Sequence, residues 1–245
     1  MAQITIENHG KVTLFTINRP ARRNAICSKT AIELQQAFAD FDRSEQKVAV
    51  ITGAGNEAFS AGADVSDVPE LWRCVPTVGI TTEKPVIAAV AGWCVGGGMI
   101  VSMMSDLTVA AENARFSYPE AKLGLTQGMI AGLAGRIPHK VAMEIMLLAR
   151  VIDAQRAYDV GMVNQVVPVG TQVEVALGMA QEMALMAPLV LKTLKRFVTT
   201  QVLASGPTED FARAKRDIEI VANSEDCVEG FASYREKRAP VFMGR

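Results

Sequence analysis

Two short stretches of this 245-residue chain present backbone more than side chain. One is "FSAGAD", Phe59 to Asp64. The other is "AGWCVGGGMI", Ala91 to Ile100, in which three glycines precede an apolar run. Glycine lets a ligand approach main-chain N–H groups closely, and a helix starting there adds unpaired donors with a positive partial charge. Donors of that kind stabilise negative charge growing on a carbonyl oxygen. Two such loops could give one N–H each to a single oxygen. Tight packing of a strand against a helix calls for the same glycines, so spacing alone leaves both readings open.

Other chemistries find little support. The only histidines are His9, in a turn before Gly10, and His139, after Pro138, and both read as structural. No G-x-S-x-G elbow exists for a serine triad and no GxxxxGK[ST] for a phosphate loop. "TGAGNEAF" matches the dinucleotide fingerprint only loosely: Gly62 interrupts the helix that should follow, and no acidic residue closes a strand about 20 residues on. Cys27, Cys74, Cys94 and Cys227 form no CxxC pair and read as reduced thiols, with neither a disulfide framework nor a zinc site. The net charge of −1, with 49% hydrophobic and 21% charged residues, is that of a globular chain and argues against nucleic acid as a partner. "MAQITIENHG" has neither the basic nor the apolar region of a signal peptide, and no run of ~18 apolar residues suggests a membrane span. The expectation is a cytoplasmic protein without membrane partners.

The elements that must hold the two loops are legible as patterns. "QITIE" and "VTLFTIN" flank a His-Gly turn and predict a hairpin. "SKTAIELQQAFADFD" predicts an amphipathic helix capped by Ser28, with Ile32, Leu34, Phe38 and Phe41 on its apolar side. "KVAVITG", "PVIAAVAG" and "LTVAAEN" predict buried strands, and "GGMIVSMMSD" a helix between the last two. From Met129 onward the pattern is almost wholly helical, ending in a helix capped by Ser224 with acidic residues first and basic residues last. The expectation is an α/β core, 1–187, followed by a helical region, 188–245.

Six blocks, in order, carry a resemblance: "INRPARRNAI", "FSAGADV", "KPVIAAVAGWCVGGG", "DLTVAAENARFSYPEAKLGL", "GMVNQVV" and "FASYREKRAPVF". Together they closely resemble the enoyl-CoA hydratase/isomerase (crotonase) family over nearly the whole chain. The resemblance implies a crotonase (ClpP-like) spiral of ββα units with a helical C-terminal trimerisation region, in a homotrimer or a hexameric dimer of trimers. It implies an acyl-coenzyme A thioester as substrate, with no metal and no separate cofactor. The thioester oxygen would lie between the N–H groups of Ala63 and Gly97. Arg23, Asn24, Ala25, Ala61 and Asp64 match loops that contact coenzyme A, and Lys237 and Phe242 match residues that approach the nucleotide, in many members from a neighbouring subunit.

One departure bears on the reaction. Hydratases of the family carry two catalytic glutamates. The second matches Glu120 in "SYPEAKLGL", but the first position is Ile100, which neither holds water nor moves a proton. General acid–base groups contribute about 10²–10⁴-fold each. A lone carboxylate therefore points first to a Δ3–Δ2 enoyl-CoA isomerase, with Glu120 removing a proton and returning it elsewhere. The alternatives are an enoyl-CoA hydratase in which Gln127 or Tyr118 compensates for Ile100, another enolate reaction on an acyl-CoA, or a CoA-binding protein that has lost catalysis. Met99, Ile100 and Met129, with Tyr118 and Gln127, are expected around the acyl group, where apolar surroundings would raise the Glu120 pKa. The segment from Asp64 to Lys84 is shorter than in typical members, so one pocket wall is expected to be remodelled.

Overall fold

The computed structural model describes residues 2–245. A hairpin of β1 (Ile4–His9) and β2 (Val12–Ile17) leads through a loop to α1 (Ser28–Arg43). Three strand pairs then repeat one plan: β3 (Val48–Gly53) with β4 (Ala58–Ser60), β5 (Val86–Val90) with β6 (Trp93–Val95), and β7 (Leu107–Ala111) with β8 (Arg115–Ser117). The first strand of each pair joins one sheet, ordered β1-β2-β3-β5-β7-β10 with β10 at Gln165–Val167. The second joins another, ordered β4-β6-β8-β9 with β9 at Ile152–Asp153. Within each sheet the repeated strands are parallel neighbours, so the chain advances one strand per unit in both sheets at once. This is the expected α/β spiral.

Strands β3 and β5 are buried at every residue, as the apolar runs in their sequences require of parallel strands covered on both faces. Alternation splits them between two cores. Val48 and Val50 face α6 (Gln172–Ala184), while Ala49 and Ile51 face the main core with Phe15, Phe38 and Phe41. Phe15 stacks on Phe38 at 4.2 Å, and Phe41 meets both rings edge-on.

Two details of α1 differ from the pattern. Cys27 occupies the N-cap position, and the free N–H of Ser28 donates instead to Asp67, which also accepts from the Ser28 hydroxyl. A carboxylate 39 residues on thus replaces the local cap, and it suits the positive helix end. Ile32 is 55% exposed; the buried stripe is Ala31, Leu34, Phe38 and Phe41. The run after Met129 is a 3-10 helix (Met129–Gly135), since two glycines in seven residues weaken an α-helix. Ser224 caps the last helix as expected, its hydroxyl accepting from the Cys227 N–H.

The C-terminal helices are α7 (Pro188–Phe197), α8 (Pro207–Ala222) and α9 (Glu225–Glu236). Helix α7 has no buried residue, although one side carries Leu189, Val190, Leu194 and Phe197. No single helix among the described residues is long and apolar enough to cross a membrane.

Candidate active site

Strands β4, β6 and β8 are consecutive parallel neighbours, and each is followed at once by a piece of the site. After β4 comes the loop Ala61–Asp64. After β6 comes the glycine triplet, which opens α2 (Gly97–Met104). After β8 come Pro119 and Glu120, the latter opening α3 (Glu120–Leu123). The carboxyl ends of adjacent parallel strands are where open α/β sheets place ligands.

The first two loops touch. A Cβ added at Gly62 would lie 2.8 Å from the Val95 carbonyl oxygen and 3.3 Å from the Gly97 amide nitrogen. No side chain fits there, and the φ of +90° at Gly62 favours glycine in any case. Asp64 N–H donates to the Ile26 carbonyl and Ile26 N–H to the Gly62 carbonyl, a bridge that leaves the Ala63 N–H unused. Gly97 is the first residue of α2, so its N–H has no acceptor within the helix. Two free donors therefore sit on adjoining loops, and Ala63 is only half-buried.

Glu120 completes the arrangement. Its carboxylate lies against Gly96, where any Cβ would collide with it. Oε2 is buried without a hydrogen-bond partner. Burial pushes the Glu120 pKa up to about 7, partly offset by the residue's own backbone N–H. The expected direction and its cause, apolar desolvation, are both present. A half-protonated carboxyl with a free oxygen beside two free N–H donors is suited to moving a proton to or from carbon next to a polarised carbonyl.

The expected apolar neighbours are buried, but as packing. Met99, Ile100, Tyr118 and Met129 are all at most 5% exposed. Tyr118 pairs its hydroxyl with Thr126 at 2.9 Å, and burial raises its pKa. Gln127 donates to the Pro69 carbonyl at 3.2 Å. Within the chain each of these polar groups ties down a loop.

The residues matched to coenzyme A contacts divide. Arg23 is exposed and pairs with Glu57, and Ala61 is half-buried, donating its N–H to the Arg23 carbonyl. Ala25 is buried. Asn24 is 1% exposed, and its side chain is consumed by Ala54 and Ala58 carbonyls and the Arg19 N–H. Asp64 accepts from Ser66 and from Arg19 at 3.0 Å, and the Ser66 hydroxyl above all holds its pKa down to about 2. The side chains of Asn24 and Asp64 therefore shape the loops and are not free for ligand. Arg19, which also donates to the Ala25 carbonyl, is a loop-tying residue that the motif reading did not single out. Lys237 ends α9 in a left-handed conformation, and Phe242 lies near Gly230 on a tail bonded back to α9 through Asp226 and Glu229. Their contacts within this chain are to α9, not to the three loops.

Known proteins are similar to this chain in sequence and fold. A family model described as enoyl-CoA hydratase/isomerase matches residues 7–245. Carnitinyl-CoA dehydratase from Citrobacter koseri is 35% identical, with 97% of each chain covered, and that from Escherichia coli K12 is 34% identical, with 98% of each covered. A solved carnitinyl-CoA dehydratase from Mycobacterium avium 104 superimposes with a TM-score of 0.78 at 33% identity, and an enoyl-CoA hydratase from Mycobacterium tuberculosis H37Rv with 0.77 at 30%, each over 100% of both chains. Spiral, paired loops and whole-length matches agree, and the chain belongs to the enoyl-CoA hydratase/isomerase family of acyl-CoA enzymes.

Proposed function

We propose that this protein adds or removes water across the Cα–Cβ bond of an acyl-CoA, with Glu120 as its single acid–base group. The observation that carries the reading is the Glu120 carboxylate, one oxygen partnerless, lying against Gly96 between the touching loops that bear the free N–H groups of Ala63 and Gly97. In the elimination direction Glu120 takes the α-proton of a 3-hydroxyacyl thioester. The two N–H donors hold the resulting enolate oxygen. Glu120 then passes the same proton to the β-oxygen as the C–O bond breaks, releasing water and restoring the carboxylate. This step requires proton and leaving group on one face, where one carboxyl serves both. Hydration runs the same steps backwards. The dehydratase relatives favour this over the double-bond shift.

A double-bond shift remains the second reading because Ile100 is 1% exposed in apolar packing and offers no second group to activate water. Mass spectrometry of crotonyl-CoA, 3-hydroxybutyryl-CoA and 3-butenoyl-CoA incubated with the enzyme separates the two. Exchange of one water between the first two supports the proposal. Conversion of 3-butenoyl-CoA to crotonyl-CoA without any water exchange overturns it in favour of the isomerase.

The pH profile follows from the protonation state. Abstraction of the α-proton needs ionised Glu120, so kcat/KM for elimination is expected to rise with pH, reach half its plateau near 7, and stay flat above. A half-point near the ordinary carboxylate value would mean that Glu120 is not the base.

Oligomerisation belongs to the same proposal. Leu189 of α7 is 77% exposed and Tyr234 of α9 is 83% exposed, within a broad apolar surface on the C-terminal helices. Patches of that kind mark interfaces. Light scattering should give three or six times the 26.3 kDa chain mass. A monomer at micromolar concentration would refute the assembly.

A further inference from the structure

Between the Ala61–Asp64 loop and β5 the chain makes a short arm containing a 3-10 helix, Leu71–Cys74. Its first residue reaches the site. The Cδ1 and Cδ2 atoms of Leu71 lie 2.7 and 3.1 Å from where a Cβ of Gly97 would be, and Leu71 is 3% exposed. Adjacent glycines of the triplet thus each lie under a different side chain. Gly96 lies under the Glu120 carboxylate and Gly97 under the Leu71 isobutyl group. A thioester whose oxygen meets the Gly97 N–H and whose α-carbon meets Glu120 must lead its acyl chain past Leu71.

The arm is held so that Leu71 cannot swing aside freely. Arg73 makes two bonds to Glu219 of α8, at 2.9 and 2.7 Å, and also pairs with Glu70. Lys215 pairs with Glu70 as well. Arg213 and Arg216 of α8 donate to the Thr77 and Val78 carbonyls, and Gln127 holds Pro69 from the other side. Beyond Leu71 the expected acyl surroundings, Met99, Ile100 and Met129, are already packed.

We propose that Leu71 determines chain-length specificity, closing the acyl site so that the enzyme acts on short acyl-CoA thioesters of about four carbons. The inference rests on the reading that Glu120 and the Gly97 N–H are the reacting partners. In a close-fitting apolar site each methylene changes discrimination by roughly 10–200-fold. The wild type should therefore use the eight-carbon 3-hydroxyacyl-CoA at least about 100-fold less efficiently than the four-carbon one, by kcat/KM. Leu71→Ala removes three carbons and should narrow that ratio by about 10-fold or more. Leu71→Val, a milder change to the core, should narrow it in the same direction and decides the matter if the alanine variant does not fold.

Both chain lengths are assayed on wild type, both Leu71 variants and Glu120→Gln. An unchanged ratio in folded Leu71 variants, or a wild type that prefers eight carbons, overturns the role of Leu71 and leaves the proposed reaction standing. Turnover that survives in Glu120→Gln overturns the proposed reaction instead.

Discussion

Glu120→Gln is expected to lower kcat for acyl-CoA turnover by about 10²–10⁴-fold while leaving coenzyme A affinity and fold unchanged. Glutamine preserves the shape of the group that lies over Gly96, so packing is maintained. What disappears is a carboxyl able to take a proton near neutral pH. The two N–H donors remain, so stabilisation of the enolate persists without a base to generate it. Exchange of the substrate α-proton in deuterium oxide reports this step whether or not water is added. Wild-type exchange that persists in the variant would place the base elsewhere.

Gly96→Ala should damage stability and activity together. Gly96 has φ 51° and ψ −115°, a combination that L-residues avoid, and occupying such a region costs about 1–3 kcal/mol. In a chain of this size that corresponds to roughly 2–4 °C of melting temperature per kcal/mol. The new methyl group would also strike the Glu120 carboxylate. Misplacing a catalytic group by about 1 Å lowers rate on the order of 10²-fold. Gly10→Ala is the control, since Gly10 has a positive φ but nothing within 4 Å of the added Cβ. It should lower the melting temperature and spare kcat. If Gly96→Ala loses stability alone, the carboxylate is free to move and its position is not fixed by the glycine.

The sequence revealed the parts of the site that depend on backbone. The triplet and "FSAGAD" announce themselves because only small residues permit such approaches, and the strands that carry them are continuous apolar runs. Glu120 was legible through the motif around it, and the rise in its pKa through the apolar residues that accompany it. What stayed hidden depends on contacts between distant segments. Asn24 reads as a ligand contact but spends its amide on carbonyls 30 and 34 residues away. Asp64 is neutralised by Arg19 across 45 residues, and Asp67 caps α1 from 39 residues away. Gln127 and Tyr118, read as substrate contacts, close onto Pro69 and Thr126. The approach of Leu71 to Gly97 had no local signal, because an apolar residue in a loop resembles any other until the arm is folded.

The repeat of β4, β6 and β8 also sets a ruler. Neighbouring strands in a sheet are about 4.7–4.9 Å apart. The first donor, the second donor and the carboxylate stand at three successive marks, each two or three residues past its strand. The backbone ladder, not the side chains, keeps those intervals. The spacing of the marks is thus set by strand pairing, while the glycines between them let the loops and the Glu120 carboxylate close on one another. Ile100 stands one turn into the helix that the second mark opens, so an apolar side chain there leaves the interval between the donors and the carboxylate unaltered.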